Sequence, residues 1–506
     1  MINWNSAFAS LIHRFGARPA VSTPSGVHTY KEVIGRAVSV SGALTALGVQ
    51  HGAPVATFLP NLAHAVWASI GVSLSGAAET PLNPALSTAE LSYCLDLLDV
   101  RHVIADSRTE QTVRSARRDP LLIEDIGAGM LPLDQTFAVD GDAWGKILFT
   151  SGTTGRPKAI LHSHKSRWLA NLMLRASLPF PPTPQSRILL MTPYSHGASL
   201  LAAAFFDNGA SIYLMDGVQT DRVRKLLASG EIDSMFAPPT VLAKLTANLE
   251  GFSCRSLRTV FCGTATLSPQ LYKNVREMFG PVVRVTYGKT EILNPITVLP
   301  AAECDAAYSS EDNTGGANLG WPVSGVEIEI RDESGVPCTA GTPGSIFLRA
   351  AHMMVGYIDG AGIHEVAPTD WHESGDVGML TNRGELILIG RQNDVIKTGG
   401  YKVFAQEIEL PLDNARLGSE IVAVGLPSQY WGQIIVVVAE RPVHEWEAQA
   451  EHAASMLSRH KRPRAYITLP ELPRNAQGKV QRSAVIEVLL REYRIEDGPH
   501  PKLKPL

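Results

Sequence analysis

Short apolar, β-like runs alternate with helix-period patterns over nearly the whole length of this chain, and that alternation narrows the fold more than any other feature. Strands interleaved with helices bury both kinds of apolar surface in helix-covered sheets, so the fold class expected is α/β. Residues 146–150 (KILFT) read as a buried strand, 163–178 as a helix, and 221–228 as a helix with Val223, Leu226 and Leu227 on one face. Residues 260–262 and 282–286 read as strands ending at Gly-containing turns. From Gly315 the texture changes to Gly-rich turns between alternating strands, such as 326–331 and 345–349, which predicts a smaller antiparallel or barrel-like section. A further boundary falls near Arg391. Beyond it, 420–424 and 434–439 read as strands and 446–459 and 482–492 as helices, a unit of about 110 residues with its own core. The terminal PHPKLKPL is expected to be an unstructured tail. The organisation expected is an N-terminal domain over 1–391, with helix-covered β-sheets plus the barrel-like section, and a small α+β C-terminal domain over 392–506.

Composition excludes several classes of function. With 506 residues and 45% hydrophobic content the chain can bury sizeable cores. Lys and Arg total 45 against 49 Asp and Glu, so no basic excess drives binding to phosphate backbones, and nucleic acid is excluded as the main partner. The five cysteines, Cys94, Cys254, Cys262, Cys304 and Cys338, form an odd set without CxxC pairs, which fits a reducing compartment better than a disulfide framework or zinc knuckle. The first residues lack the basic start and continuous apolar stretch of a secretion signal. The apolar run 65–78 is too short to span a bilayer and is interrupted by Ser69, Ser73 and Ser75. The expectation is a cytoplasmic protein without a membrane partner, monomeric or homodimeric.

After the strand 146–149 comes TSGTTGRPK: Thr150, Ser151, Gly152, Thr153, Thr154 and Gly155, then Arg156, Pro157 and Lys158. Glycines let successive N–H groups converge on an anion, hydroxyls add donors, and a cation neutralises charge, so the composition is that of a phosphate-binding loop. The spacing is not that of Walker-type ATPases. Ala159, Ile160 and Leu161 continue as an apolar strand-like run, so the loop joins two strands and does not lay phosphate on a helix N-terminus.

With this motif the sequence resembles the adenylate-forming superfamily of acyl-CoA synthetases, luciferases and peptide-synthetase adenylation domains. Further motifs carry the resemblance over essentially the full chain: YGKTE (287–291), WHESGD (371–376), GRQNDVIKTGGYKV (390–403) and PRNAQGKVQR (473–482). It implies that ATP sits on the loop residues with Lys158, that Gly263, Thr264 and Ala265 edge the adenine, and that Tyr287 packs on it beside Gly288. Thr290 is implied to touch the α-phosphate, Asp376 and Arg391 to hold the ribose, and Glu291 with Thr154 to hold Mg²⁺, a hard cation suited to oxygen ligands. Lys479 is implied to catalyse adenylate formation and Asn393 to be the hinge of a mobile C-terminal domain; most relatives carry Asp or Lys there.

TPYSHG (192–197) resembles the segment lining the acyl site, placing His196 there as the group that helps ionise the incoming thiol. With His196, Gly263, Gly288, Leu293 and Asn294 form the implied acid pocket, most like that of aryl-acid CoA ligases of the chlorobenzoate type. The motif offers no carboxylate for a substrate ammonium, which disfavours an α-amino acid. A dicarboxylate would need an extra cation, and Lys289 is the only candidate near Tyr287. Gly399, Gly400, Trp431, Lys461, Arg462 and Arg464 match places where CoA-using relatives bind the nucleotide and pass the pantetheine arm; for the HKRPR cluster a solvated helix end is the competing explanation. The implied activity is activation of a small carboxylic acid to acyl-AMP, then transfer to coenzyme A. A non-CoA acceptor and a non-catalytic nucleotide-binding homologue are the rivals, and intact Lys479, Glu291 and Asp376 argue against the latter.

Overall fold

The computed structural model describes residues 4–127, 139–150, 157–293, 295–309, 316–413, 420–475 and 479–506, apart from the side chains of Asn5, His196 and Ser309. Two large sheets dominate. An eight-stranded sheet has Trp144–Thr150 next to Ala78–Pro81, then Pro54–Phe58, His102–Ala105 and Pro120–Leu122, all parallel, with Lys158–Ser163 and Gly356–Asp359 antiparallel on the other side. In the nine-stranded sheet, Pro19–Thr23, Ser211–Leu214, Arg187–Leu190, Ser234–Phe236, Thr259–Cys262 and Val283–Tyr287 run parallel side by side. Parallel strands covered on both faces are apolar at every position, and Val260, Phe261 and Cys262 are all buried accordingly.

Helices fill the space between the sheets. One core runs from Val55 and Ile104 of the first sheet, through Val33 of the helix Tyr30–Ala46 and Val66 and Val72 of the helix Ala63–Leu74, to Ile188 and Ile212 of the second. The helix Ala63–Leu74 is buried nearly all round, which is why its sequence looks like a truncated membrane span. No helix among the described residues is long and apolar enough to cross a membrane.

The change of texture near Gly315 marks a five-stranded, wholly antiparallel sheet: Ala317–Asn318, Leu386–Arg391, His372–Leu380, Gly344–Ala350 and Val326–Arg331. After Arg391, a sheet is built around Gly432–Glu440. Period-2 alternation serves two cores there: Ile435, Val437 and Ala439 face the helices Ala405–Asp413 and Trp446–Ala454, while Ile434, Val436 and Val438 pack with Val485 and Leu489 of the helix Arg482–Glu492.

Two expectations are corrected. The helix expected over 446–459 ends at Ala454, because the Ser455 hydroxyl turns back to the His452 carbonyl (2.6 Å) and Arg462 donates to the carbonyls of Ser455 and Leu457 (2.6 and 2.9 Å). The terminal segment is not a loose tail: Lys502–Pro505 pairs antiparallel with Tyr493–Glu496, and Ile495 and Leu503 pack against the second of these cores. Asp497 at the turn accepts from Ser428 Oγ and from the backbone N–H of Gln429 and Tyr430.

Candidate active site

The strand Trp144–Thr150 leads into the glycine loop and Lys158–Ser163 leads out of it, with Thr150 paired opposite Lys158. The loop thus joins two antiparallel strands, as expected, and the next helix begins only at His164 behind a Ser163 cap. Ser151, Gly152, Thr153, Thr154 and Gly155 lie outside the described residues. Lys158 Nζ is 3.6 Å from Asp359 and 4.9 Å from the centre of the Tyr357 ring.

Strands Thr259–Cys262 and Val283–Tyr287 are parallel neighbours, with Cys262 opposite Val285, so Gly263–Thr264–Ala265 and the YGKTE segment emerge at the same edge. Ligands of open α/β sheets bind at such carboxyl ends. A Cβ on Gly263 would stand 2.8 Å from the Thr286 carbonyl oxygen, which explains the glycine; Thr264 sits at φ +72°, an uncommon region for a β-branched residue.

Across the cleft, the strand His372–Leu380 places Asp376 opposite Arg391 of Leu386–Arg391. Asp376 is buried and closely held: Tyr287 Oη donates to Oδ2 (2.5 Å), Lys289 Nζ lies 3.6 Å from Oδ2, and Arg391 Nε is 3.4 Å from Oδ1. Burial and the Asp376 charge push the Tyr287 hydroxyl well above the usual phenol range, so it stays a donor. Lys289, the cation offered for a dicarboxylate, donates instead to the Ser374 carbonyl (2.7 Å) and braces the WHESGD turn.

The carbonyl of Thr290 meets a ring nitrogen of the buried His162 (2.7 Å), and burial pushes the His162 pKa down to about 3, so this support is neutral. The Glu291 carbonyl accepts from Met354 N–H (2.8 Å), and its carboxylate acts on His372, whose pKa burial lowers. His372 Nε2 is buried without a hydrogen-bond partner among the described residues.

Lys479 comes from the C-terminal unit, just before the isolated bridge residue Val480 and the helix Arg482–Glu492. Its turn is pinned by Asn475, which donates its N–H to the Lys479 carbonyl (2.9 Å) and accepts the Lys479 N–H on its side chain (3.0 Å). The side chain remains open to solvent while protein atoms crowd its ammonium. This crowding, then the positive charges of Arg391 and Arg482, lowers its pKa to about 8 against the opposing pull of Asp394 and Asp376. The structure therefore brings Lys479, Arg391 and Asp376 to one cleft. Asn393 is exposed in a short 3₁₀ turn, Gln392–Asp394. On either side, Gln392 donates to Ser345 and Glu373 (2.7 and 2.9 Å), and Asp394 binds Arg482 (2.8 Å), which also grips Glu409 (2.6 Å).

A second cluster forms around Trp431. Gly399 N–H donates to the Trp431 carbonyl (2.8 Å), and a Cβ on Gly399, at φ +56°, would lie 3.0 Å from the indole. The Arg464 guanidinium lies over the Trp431 ring, 3.7 Å from its centre, and Gly400 follows at φ +84°. Of the other two basic residues, Lys461 binds Glu407 (2.7 Å) and Arg462 donates to the carbonyls at the end of the helix Trp446–Ala454.

Of the acid-pocket residues, Asn294 and the His196 side chain are outside the described residues. The His196 backbone lies in a π-turn, Tyr194–Ala198, clamped by Asn61, which accepts from Tyr194 N–H (2.6 Å) and donates to the Thr192 carbonyl (2.6 Å). Leu293 lines a cavity of about 90 Å³ with Tyr194, Ser199, Lys146 and Arg167. The buried charges there escaped the sequence reading, because nothing in KILFT says that its lysine meets Glu79 (3.1 Å).

The family model for AMP-binding enzymes matches residues 8–358, and the chain belongs to that family. Among curated relatives, a 4-chlorobenzoate–CoA ligase of Arthrobacter sp. is 27% identical over 521 residues, covering 97% of this chain and 95% of its own length. A 2-succinylbenzoate–CoA ligase of Listeria monocytogenes is 26% identical over 465 residues, covering 91% and 94%. The solved o-succinylbenzoate CoA synthetase of Bacillus subtilis, in complex with its acyl-adenylate intermediate, shares the fold with a TM-score of 0.83 at 23% identity, over 99% of both chains.

Proposed function

We propose that this protein is an AMP-forming acid–CoA ligase: it activates a carboxylic acid with MgATP to acyl-AMP and pyrophosphate, then passes the acyl group to the thiol of CoA. The observation that carries this is the convergence of Lys479, Arg391 and Asp376 on Tyr287 at the carboxyl end of the strand Val283–Tyr287. In this reading the Lys479 ammonium meets the attacking carboxylate and the α-phosphate as charge redistributes in the transition state. Asp376 accepts from the ribose hydroxyls, a role suited to a carboxylate already oriented by Tyr287, Arg391 and Lys289.

The Glu291 carboxylate beside the cleft fits a Mg²⁺ held mostly by phosphate oxygens and water, with Thr154 as the second protein ligand; the ion would offset polyphosphate charge. Release of the Gln392, Asp394 and Arg482 contacts frees the 392–394 turn to swing the Gly399–Trp431–Arg464 face over the acyl-adenylate, where a glycine at close approach and a cation beside an indole receive the pantetheine arm and CoA phosphates. His196 is assigned to assist thiol ionisation. The test is pyrophosphate release from MgATP across aryl, fatty and dicarboxylic acids, with and without CoA, products identified by mass. CoA-dependent thioester formation with one acid class supports the reading; acyl-AMP without a CoA thioester assigns another acceptor.

A further inference from the structure

We propose that the cavity behind Leu293 is a recognition subsite for the far end of the acid, and that this end carries a second carboxylate, received by Arg167 and Lys146. This rests on the acid–CoA ligase reading, in which Leu293 and the 192–197 segment border the acid. The cavity touches both: Leu293, Tyr194 and Ser199 line it together with the two cations.

The charge count points to a missing anion. Lys146 Nζ and Arg167 Nη2 both approach the same oxygen of Glu79, at 3.1 and 3.5 Å, and the lysine and glutamate side chains are almost wholly buried. With both protonated, two cations on one carboxylate leave one positive charge over, and burial, which lowers the pKa of Lys146 and of Arg167, opposes that charge until a second anion balances it. Arg167 Nη1 is occupied by Ser73 Oγ (3.0 Å) and the Gly145 carbonyl (2.8 Å), and Lys146 also reaches Ser199 Oγ (3.4 Å), so beyond Glu79 these contacts of the two cations among the described residues are with neutral acceptors. The other carboxylate on the cavity, Asp207, is held by Asn171 (2.5 Å) with Arg175 at 3.9 Å, and among the described residues it makes no pair with Arg167 or Lys146. Phe8, Leu174 and Phe206 give the cavity an apolar wall for the hydrocarbon between the two ends.

A scale for length comes from the strand: Lys146 lies four residues before Thr150, where the phosphate loop begins, so at roughly 3.3 Å per residue its backbone stands about 13 Å along the strand from the start of that loop. Lys289, the cation the sequence offered for a dicarboxylate, is committed to Ser374 and Asp376, so the polar-end contact moves to this deeper pair.

The test compares straight-chain α,ω-dicarboxylic acids of about six to twelve carbons with monocarboxylic acids of equal length, measuring binding by calorimetry and acyl-AMP formation separately. The expected result is a preference of about tenfold or more, in affinity and in kcat/KM, for diacids of one narrow length range. Arg167→Met should erase it and Glu79→Gln, which adds to the positive excess, should preserve or raise it. The wild-type comparison stands on its own if either variant misfolds. Equal binding and turnover of diacids and monoacids would overturn the subsite while leaving the ligase reading intact. Preferential binding of a diacid with no adenylate from any acid supports the subsite and overturns the ligase reading.

Discussion

The crowded position of Lys479 predicts a pH profile for the first half-reaction. A lysine with the ordinary pKa of 10.5 would be almost fully protonated at pH 9, whereas one lowered to about 8 loses its proton across the neutral to mildly alkaline range. If the ammonium form stabilises the transition state, the reactive fraction falls from about nine-tenths at pH 7 to about one-tenth at pH 9, roughly a tenfold loss of rate. The sign is set by which form works: activity is present below the folded-state pKa and lost as pH rises through it. The assay is single-turnover pyrophosphate release without CoA, so that thiol ionisation does not enter. Lys479→Arg is the control, since a guanidinium stays charged, and its rate, even if lower, should stay flat over the same range. A wild-type rate that is level from pH 7 to 9, or a fall that persists unchanged in Lys479→Arg, would refute the assignment of the proton to this lysine.

Lys479→Ala should slow acyl-AMP formation by roughly 10²-fold or more, while thioester formation from supplied acyl-AMP survives; equal loss in both halves would remove the lysine from adenylation. Gly399→Ala sets a methyl 3.0 Å from the Trp431 ring at φ +56°, so thioester formation from supplied acyl-AMP should slow with adenylation unchanged. Tyr30→Phe removes a hydroxyl that lies 2.8 and 2.7 Å from the buried carbonyls of Phe206 and Ala210, and urea unfolding should show a loss of about 1–3 kcal/mol. Alkylation of the native protein at pH 7.5 should label Cys338 first, because Cys94, Cys254, Cys262 and Cys304 are buried, and burial raises the thiols of Cys94 and Cys304 to about 12; peptide mapping reads this directly.

Local chemistry was legible in the chain. The helix Arg482–Glu492 and the strand pair around TSGTTGRPK follow from hydrophobic period, and the motif segments announce phosphate and adenylate chemistry because each needs its residue types within a few positions of one another. The 315 boundary was readable because Gly-rich turns and alternation distinguish antiparallel strands from buried parallel ones.

What tertiary structure alone decided is which distant groups satisfy one another. Lys289 was legible only as a spare cation beside Tyr287 until Ser374 came within its reach, and of the two readings open for Arg462 the structure supplies a helix end whose carbonyls it meets. PHPKLKPL has the composition of a tail, yet Leu503 and the Asp497 turn tie it down, since pairing with Tyr493–Glu496 supplies the backbone partners its own sequence does not. KILFT declared a buried strand by period alone. That its lysine stays buried, beside Glu79 and with Arg167 as a second cation, depends on charges brought together from three separate elements, and such pairing energies act through space and leave no mark in any one segment.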